Sequence, residues 1–161
     1  MTTRHRPPTK AIGLTPRAQL AAFIGKYPDT LAAQGRSALT KLRRLMPGAV
    51  ELVYDTYNWL VVGFGPSERA SEAILSLVFA PRWLSVCFLQ NGPSLPDPDH
   101  LLRGSGKRVR NVRLAEAADL DSGPVRALIA EAKRRALVRL DSTAPRRLLI
   151  RSISGKQRPR R

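Results

Sequence analysis

The chain is poor in the residues that build disulfide frameworks, metal clusters and membrane spans. Cys87 is its only cysteine and it has 2 histidines, so neither an intrachain disulfide nor a thiolate metal cluster can form within one chain. Glu72, Pro81 and Arg82 interrupt the most hydrophobic region, and no apolar run reaches the roughly 18 residues of a membrane span. The basic N-terminus is followed by no long apolar segment, which argues against a secretory signal. We therefore expect a soluble cytoplasmic protein without a membrane span.

Acidic residues are also scarce. The 161 residues include 28 Lys and Arg but only 12 Asp and Glu, which gives a formal net charge of +16. Residues 1–14 carry three basic and no acidic groups, and residues 141–161 carry seven basic groups against Asp141 alone. Such an excess attracts polyanions through a salt-sensitive term that requires no particular target sequence. Nucleic-acid binding through the basic tails is therefore one alternative, and a merely solvated basic surface is the other.

The residues that are present predict helices at both ends of the chain. Thr15 and Pro16 are typical of an N-cap and a first helical residue, and apolar residues follow at helical spacing. The same spacing, with capping residues before it, recurs twice more along the chain. The predicted helices span residues 16–27, 30–45 with Asp29 or Thr30 as the cap, and 123–139 with Asp121 or Ser122 as the cap.

The centre of the chain predicts strands. Between residues 50 and 90, four short β-branched and aromatic runs are separated by turn residues, which favours four antiparallel strands packed on the helices. Residues 91–99 are rich in proline and predict a rigid loop. Residues 107–114 predict a charged edge strand, while residues 148–153 are compatible with a further strand or with a docking segment.

The order of these elements predicts an α+β fold with an antiparallel β-sheet flanked by two N-terminal helices and one C-terminal helix. We divide the chain into a disordered basic arm over residues 1–14, a single domain over residues 15–153 and a basic C-terminal tail over residues 154–161. Because the arm and the tail contain few apolar residues, we expect their removal to leave the stability of the domain unchanged.

The segment VYDTYNWLVVGFGPSERASEAILSLVF, followed by PRWLSVCFLQNG and DPDHLLRGSGKRVRNVRL, resembles the YdhG-like domain family, whose function is unknown. The resemblance runs from about Ala18 to Arg139. It implies a compact fold similar to the helix-flanked antiparallel sheet of frataxin. Some members of the family are described as frataxin-like iron chaperones for iron–sulfur assembly, so the resemblance implies iron delivery as an alternative function.

The distribution of acids bears on that alternative. Iron sites of the frataxin type are crowded carboxylates, which supply the hard oxygen ligands that iron prefers. Asp29 is the only acid before Val50 in this sequence. We therefore expect ferrous iron to bind no more tightly than it does to a generic basic protein.

The first group of ligand-binding candidates lies where one predicted strand ends and the next begins. It consists of Tyr54, Asp55, Tyr57 and Asn58, which offer phenol, carboxylate and amide groups. Alternation along a strand places Tyr54 and Asp55 on opposite faces of the sheet. The structural alternative is that Asp55 and Asn58 make the turn while the tyrosines fill the core.

The second group of candidates is a basic, glycine-rich turn made of Gly104, Ser105, Gly106, Lys107 and Arg110. Consecutive backbone N–H groups beside cations can bind a phosphate or a carboxylate. Leu101 and Arg108 occupy the places where a P-loop needs glycine and a hydroxyl residue, so the turn is not a P-loop. The alternative is a plain turn before a charged strand.

No catalytic constellation is evident. The only histidines, His5 and His100, are not accompanied by the residues of a Ser-His-Asp or Cys-His arrangement. We predict no catalytic residue, no metal ligand and no cofactor, although enzyme activity is left open. The predicted function is a non-enzymatic YdhG-like domain that binds a small anionic ligand or a protein partner, on a face joining the strand around Tyr54 to the turn around Lys107.

Overall fold

The computed structural model describes residues 13–161, and residues 1–12, which make up most of the predicted arm, lie outside the described residues. The described part of the chain forms three α-helices and six β-strands. The helices are α1 (Pro16–Ile24), α2 (Asp29–Leu45) and α3 (Gly123–Arg134). The strands are β1 (Val50–Asp55), β2 (Leu60–Gly65), β3 (Leu75–Phe79), β4 (Leu84–Phe88), β5 (Arg110–Leu114) and β6 (Arg147–Ile153). The predicted α+β class is therefore confirmed.

The strands form one sheet in the order β5-β4-β3-β2-β1-β6. Strands β1 to β5 pair in antiparallel fashion, as predicted, but β6 pairs with β1 in parallel. The prediction of a wholly antiparallel sheet is therefore wrong, and the sheet is mixed. The reason is the connection after α3, which brings the chain back to the starting end of β1, so that β6 runs in the same direction as β1. Of the two alternatives for residues 148–153, the strand is correct.

The three helices cover one face of the sheet. On this face, one row of cross-strand partners runs from β1 to β5. It consists of Val53, Val62, Leu77, Val86 and Val112. All of them are buried in one cluster with residues from α1, α2 and α3. We call this side of the sheet the helix face and the opposite side the second face. Burial of the row against the helices is the main apolar contribution to stability.

Two of the predicted helix caps are confirmed and one is wrong. The Thr15 hydroxyl accepts from the Ala18 N–H at 3.1 Å, and the Ser122 hydroxyl accepts from the Val125 N–H at 3.4 Å. Helix α2 instead begins directly after Pro28 without a side-chain cap. Asp29 lies in its first turn, where a carboxylate favours the positive end of the helix dipole.

Helix α3 ends at Arg134, earlier than the predicted residue 139. Side chains of the loop after β4 bind the backbone that would have continued the helix. Asn91 Nδ2 donates to the Arg135 carbonyl at 3.2 Å, and Gln90 Oε1 accepts from the Leu137 N–H at 2.9 Å. These hydrogen bonds replace the helical ones that a longer α3 would have made.

Tyr27 joins the helix pair to the sheet. Its side chain is completely buried; the hydroxyl donates to the Phe79 carbonyl at 3.0 Å and accepts from the Leu60 N–H at 3.1 Å. Burial raises the pKa of Tyr27 above its ordinary value, so the hydroxyl keeps the proton that it donates. Because α1 ends at Ile24 rather than at residue 27, Tyr27 is free to turn inward and fix the α1–α2 connection against β2 and β3.

Helix α2 approaches the sheet most closely at Gly35. A Cβ atom at this position would lie 2.1 Å from Cε2 of Phe79, whose ring is completely buried. The absence of a side chain at Gly35 therefore sets the distance between α2 and β3.

We predict that Gly35→Ala destabilises the protein, although alanine is the better helix former by about 1 kcal/mol. Overpacking a close-packed core costs roughly 1–3 kcal/mol, and an added Cβ this close to a buried ring places the cost in the upper part of that range. After subtraction of the helix gain, we expect a net loss of about 1–2 kcal/mol in urea unfolding. Gly123→Ala is the matched control, since no atom lies within 4 Å of the added Cβ. Equal stability of Gly35→Ala and the parent protein would contradict this packing.

Candidate functional site

The two groups of predicted ligand-binding residues are not brought together. Asp55, at the end of β1, is aligned across the sheet with Leu114, at the end of β5. Arg110, at the start of β5, is aligned instead with Glu51, near the start of β1. The groups therefore lie at opposite ends of their strands. They are also separated by four interstrand spacings, or about 19 Å. No ligand face joins the two.

Asp55 is a buried structural carboxylate. Its side chain is 1% exposed and pairs with Arg160, which is 3% exposed, at 2.8 Å. Lys26 Nζ donates to the other carboxylate oxygen at 3.0 Å. Burial acts to raise the pKa of Asp55, but hydrogen bonding by Gln157, Lys26 and Arg160 outweighs it and holds the pKa below its usual value. Both carboxylate oxygens are thus occupied by residues of the chain itself.

The predicted C-terminal tail packs against this end of β1. Ser154 N–H donates to the Asp55 carbonyl at 2.8 Å, and Arg158 N–H donates to the Tyr57 carbonyl at 2.9 Å. The Arg160 guanidinium also donates to the carbonyls of Thr56 and Tyr57. The expectation that residues 154–161 can be removed without loss of stability therefore has to be corrected. The composition of residues 154–161 predicts an exposed tail, because a basic segment with few apolar residues is rarely buried.

The other members of the first group lie apart from Asp55. Tyr54 is half-buried on the second face, as alternation along the strand predicts. Tyr57 and Asn58 are exposed in the turn between β1 and β2, where the Tyr57 ring lies 6.0 Å from the Arg158 guanidinium. These three residues do not surround a common cavity.

The glycine-rich turn is exposed, and the Arg110 side chain binds carbonyl groups within it. Gly104, Ser105, Gly106 and Lys107 are all accessible to solvent, and Gly104 has a φ of +114°. Arg110 Nη1 donates to the carbonyls of Gly106 and Val109. The guanidinium expected to bind an anion therefore stabilises the turn that precedes β5.

The structure reveals a basic cleft that the sequence did not indicate. Helices α1 and α2 lie side by side, so that the start of α1 faces the last turns of α2, and the residue before β6 lies next to both. We call this cleft the arginine groove. It is lined by Arg17, Arg36, Arg43, Arg44 and Arg146, together with Thr15 and Thr40. The part of it that is lined by Thr15, Arg17 and Arg146 has a volume of about 270 Å³.

Glu51 is the only carboxylate that lines the groove within the described residues. It is buried in β1 and binds Arg43 through both oxygens, at 2.8 and 2.9 Å. The hydrogen bond with Glu51 raises the pKa of Arg43. This bidentate pair holds the Arg43 side chain in place and neutralises its charge.

The remaining arginines of the groove keep their charge. Within the described part of the chain, Arg17, Arg36, Arg44 and Arg146 form no salt bridge. Four like charges converge on one cleft and repel one another. An anion placed among them relieves this repulsion and accepts charge-assisted hydrogen bonds.

A second hollow lies between the first turn of α2 and the β3–β4 hairpin. It has a volume of about 390 Å³ and is lined mainly by apolar side chains, including Leu31, Trp83 and Leu114, with Arg82 as the one charged residue. Arg113 covers the Trp83 ring at 4.3 Å. This hollow therefore lacks the convergent charges of the arginine groove.

Two further findings limit the chemistry of the described residues. Among residues 13–161, no group of three or more His, Cys, Asp and Glu side chains is placed to hold a metal ion. None of the helices in this range is long and apolar enough to cross a membrane.

Comparison with protein families, curated proteins and solved structures finds no match for this chain. The geometry of its own residues is therefore the basis for assigning a site.

We predict that Arg160→Ala lowers the free energy of unfolding by about 3 kcal/mol, because removing one partner of a buried ion pair strands the other. Arg158→Ala is the matched control, since its side chain is exposed and contacts only the Tyr57 ring. Urea unfolding of both variants measures the difference. Equal effects would show that the tail is held by its backbone contacts and not by the buried pair.

The lowered pKa of Asp55 predicts a dependence on acid. A carboxyl whose pKa is lower in the folded state stabilises the fold above its unfolded pKa, near 4. That contribution is lost as the pH falls through the lower folded pKa. Asp55→Asn should therefore be less stable than the parent at neutral pH and lose less stability between about pH 5 and pH 2. Asp99→Asn, which changes an exposed loop carboxylate, is the control and should show the same dependence of thermal stability on pH as the parent. If Asp55→Asn shows that same dependence, Asp55 is not the group responsible.

Proposed function

We propose that this protein is a non-enzymatic binding domain for an anionic ligand and that the arginine groove is its binding site. The observation that carries the proposal is the convergence of Arg17, Arg44 and Arg146 on one cleft without an acidic partner among the described residues. Like charges held together on a folded surface cost stability unless a ligand neutralises them. A binding role explains why the fold tolerates them.

The groove offers the chemistry of phosphate and carboxylate recognition. Guanidinium groups present planar pairs of N–H donors that match the oxygens of either anion. The Thr15 hydroxyl lies at the same cleft and, because it only accepts a hydrogen bond from the Ala18 N–H, it keeps a proton to donate to an anion. The ion pair of Arg43 with Glu51 supplies a rigid wall, because both of its partners are held by two hydrogen bonds.

The YdhG-like identity and the frataxin-like fold belong to the same proposal. What supports them is the arrangement of two helices before the antiparallel strands β1 to β5 and one helix after them. An anion-binding role does not depend on that identity, since the groove is defined by its own residues.

We predict that inorganic pyrophosphate raises the thermal stability of the protein and gives a saturable signal in titration calorimetry. A ligand that binds only the folded state adds about 2.7 kcal/mol at a hundredfold excess over Kd. The double variant Arg17→Ala/Arg146→Ala should lose at least tenfold in affinity, because it removes two of the unpaired cations.

The matched control is Arg69→Ala/Arg126→Ala, which removes the same charge from two exposed positions outside the groove. This control should retain the affinity of the parent protein. If both double variants weaken binding equally, the effect comes from net charge and the groove is not the site.

A further inference from the structure

The arginine groove is too long for a single anion. Arg36 and Arg44 lie eight residues apart on α2, a separation of about 12 Å along the helix axis. Arg146, from outside that helix, lines the same cleft as Arg44. Several anionic groups in series are needed to contact all the unpaired arginines at once.

The floor of the groove carries no ring on which a base could stack. It is formed by apolar residues of both helices, Leu20, Ile24 and Leu39, and by Pro16 and Leu148 at the other end. Among the described residues that line it, none is aromatic. A strand of nucleic acid lying here would be held through its phosphates without stacking, and hence without a preference for sequence.

The C-terminal tail, by contrast, is committed to the fold. Arg160 is buried against Asp55, at the end of β1 away from Glu51 and the groove. A polyanion that bound Arg160 would have to compete with this buried pair. The unpaired arginines of the groove are exposed and carry no such cost.

We propose that the arginine groove binds the phosphodiester backbone of single-stranded nucleic acid, independently of sequence. This inference rests on the proposed anion-binding function and specifies its ligand as a chain of phosphates. A flexible single strand can adapt the spacing of its phosphates to the arginines of the groove, whereas a stiff duplex cannot. Single-stranded DNA and RNA both present phosphodiesters. A comparison of the affinities for the two shows which of them the groove prefers.

The test is fluorescence anisotropy of labelled oligothymidylates and oligouridylates of increasing length, measured with the full chain over a range of salt concentrations. Affinity should rise with length and level off once the groove is filled. The slope of log K against log salt should be about 2–3 in magnitude, since each of three or four neutralised phosphates of a single strand contributes about 0.7. Arg17→Ala/Arg146→Ala should lower the slope by about 1.4, and Arg69→Ala/Arg126→Ala should leave it unchanged.

Three results would overturn the inference. The first is that Arg17→Ala/Arg146→Ala weakens pyrophosphate binding but leaves oligonucleotide binding unchanged. The proposed anion-binding function would then hold without this inference. The second is a slope that falls with Lys156→Ala/Arg158→Ala instead, which would assign the contacts to the tail. The third is equal affinity for polyglutamate of the same charge or for duplex DNA. If neither pyrophosphate nor oligonucleotide binds, the proposed function fails as well.

Discussion

The buried carboxylate of Asp55 constrains the whole end of the fold at which it lies. An ionised carboxylate that leaves water without partners costs several kcal/mol, and Asp55 is almost completely buried. Arg160 and Lys26 meet that requirement from segments far apart in sequence, one beyond β6 and the other between α1 and α2. This one group therefore ties the last residues of the chain and the α1–α2 connection to the end of β1.

The local part of the fold was predictable because it is encoded locally. Apolar spacing in α1, α2 and α3 and the β-branched runs of β1 to β4 report burial on one face, and the structure places those residues in one core. The caps at Thr15 and Ser122 depend on residues three positions apart. The sequence predicts ends for α1 and α3 that are too late. For α3 the reason is that Gln90 and Asn91, which bind the backbone after the helix, meet it only in the folded state.

The site was not predictable in the same way. The two groups selected from the sequence were plausible because each is polar and lies near a turn, yet the strand order separates them by the width of the sheet. The arginine groove is built from α1, α2 and the residue before β6, and no short segment of the chain displays it. The burial of Arg160 was hidden for a related reason, since only the tertiary fold brings it to Asp55. A sequence pattern shows which residues of one helix or strand are buried. The gathering of charges from different elements depends on the topology of the fold.

The pairing of β6 with β1 gives the chain an order of assembly. Strands β1 to β4 meet their neighbours through short connections, but Arg160 and Asp55 are 105 residues apart in sequence, and contacts of long range form slowly. The antiparallel meander can therefore assemble before its last strand arrives. Until then the outer edge of β1 has unpaired backbone groups, which invite another chain to pair there. Before Arg160 arrives, Asp55 has only Lys26 as a charged partner, and its carboxylate keeps water beside the open edge. A charge at an open edge discourages pairing with another chain, so the carboxylate that the tail later covers also protects the incomplete sheet from aggregation.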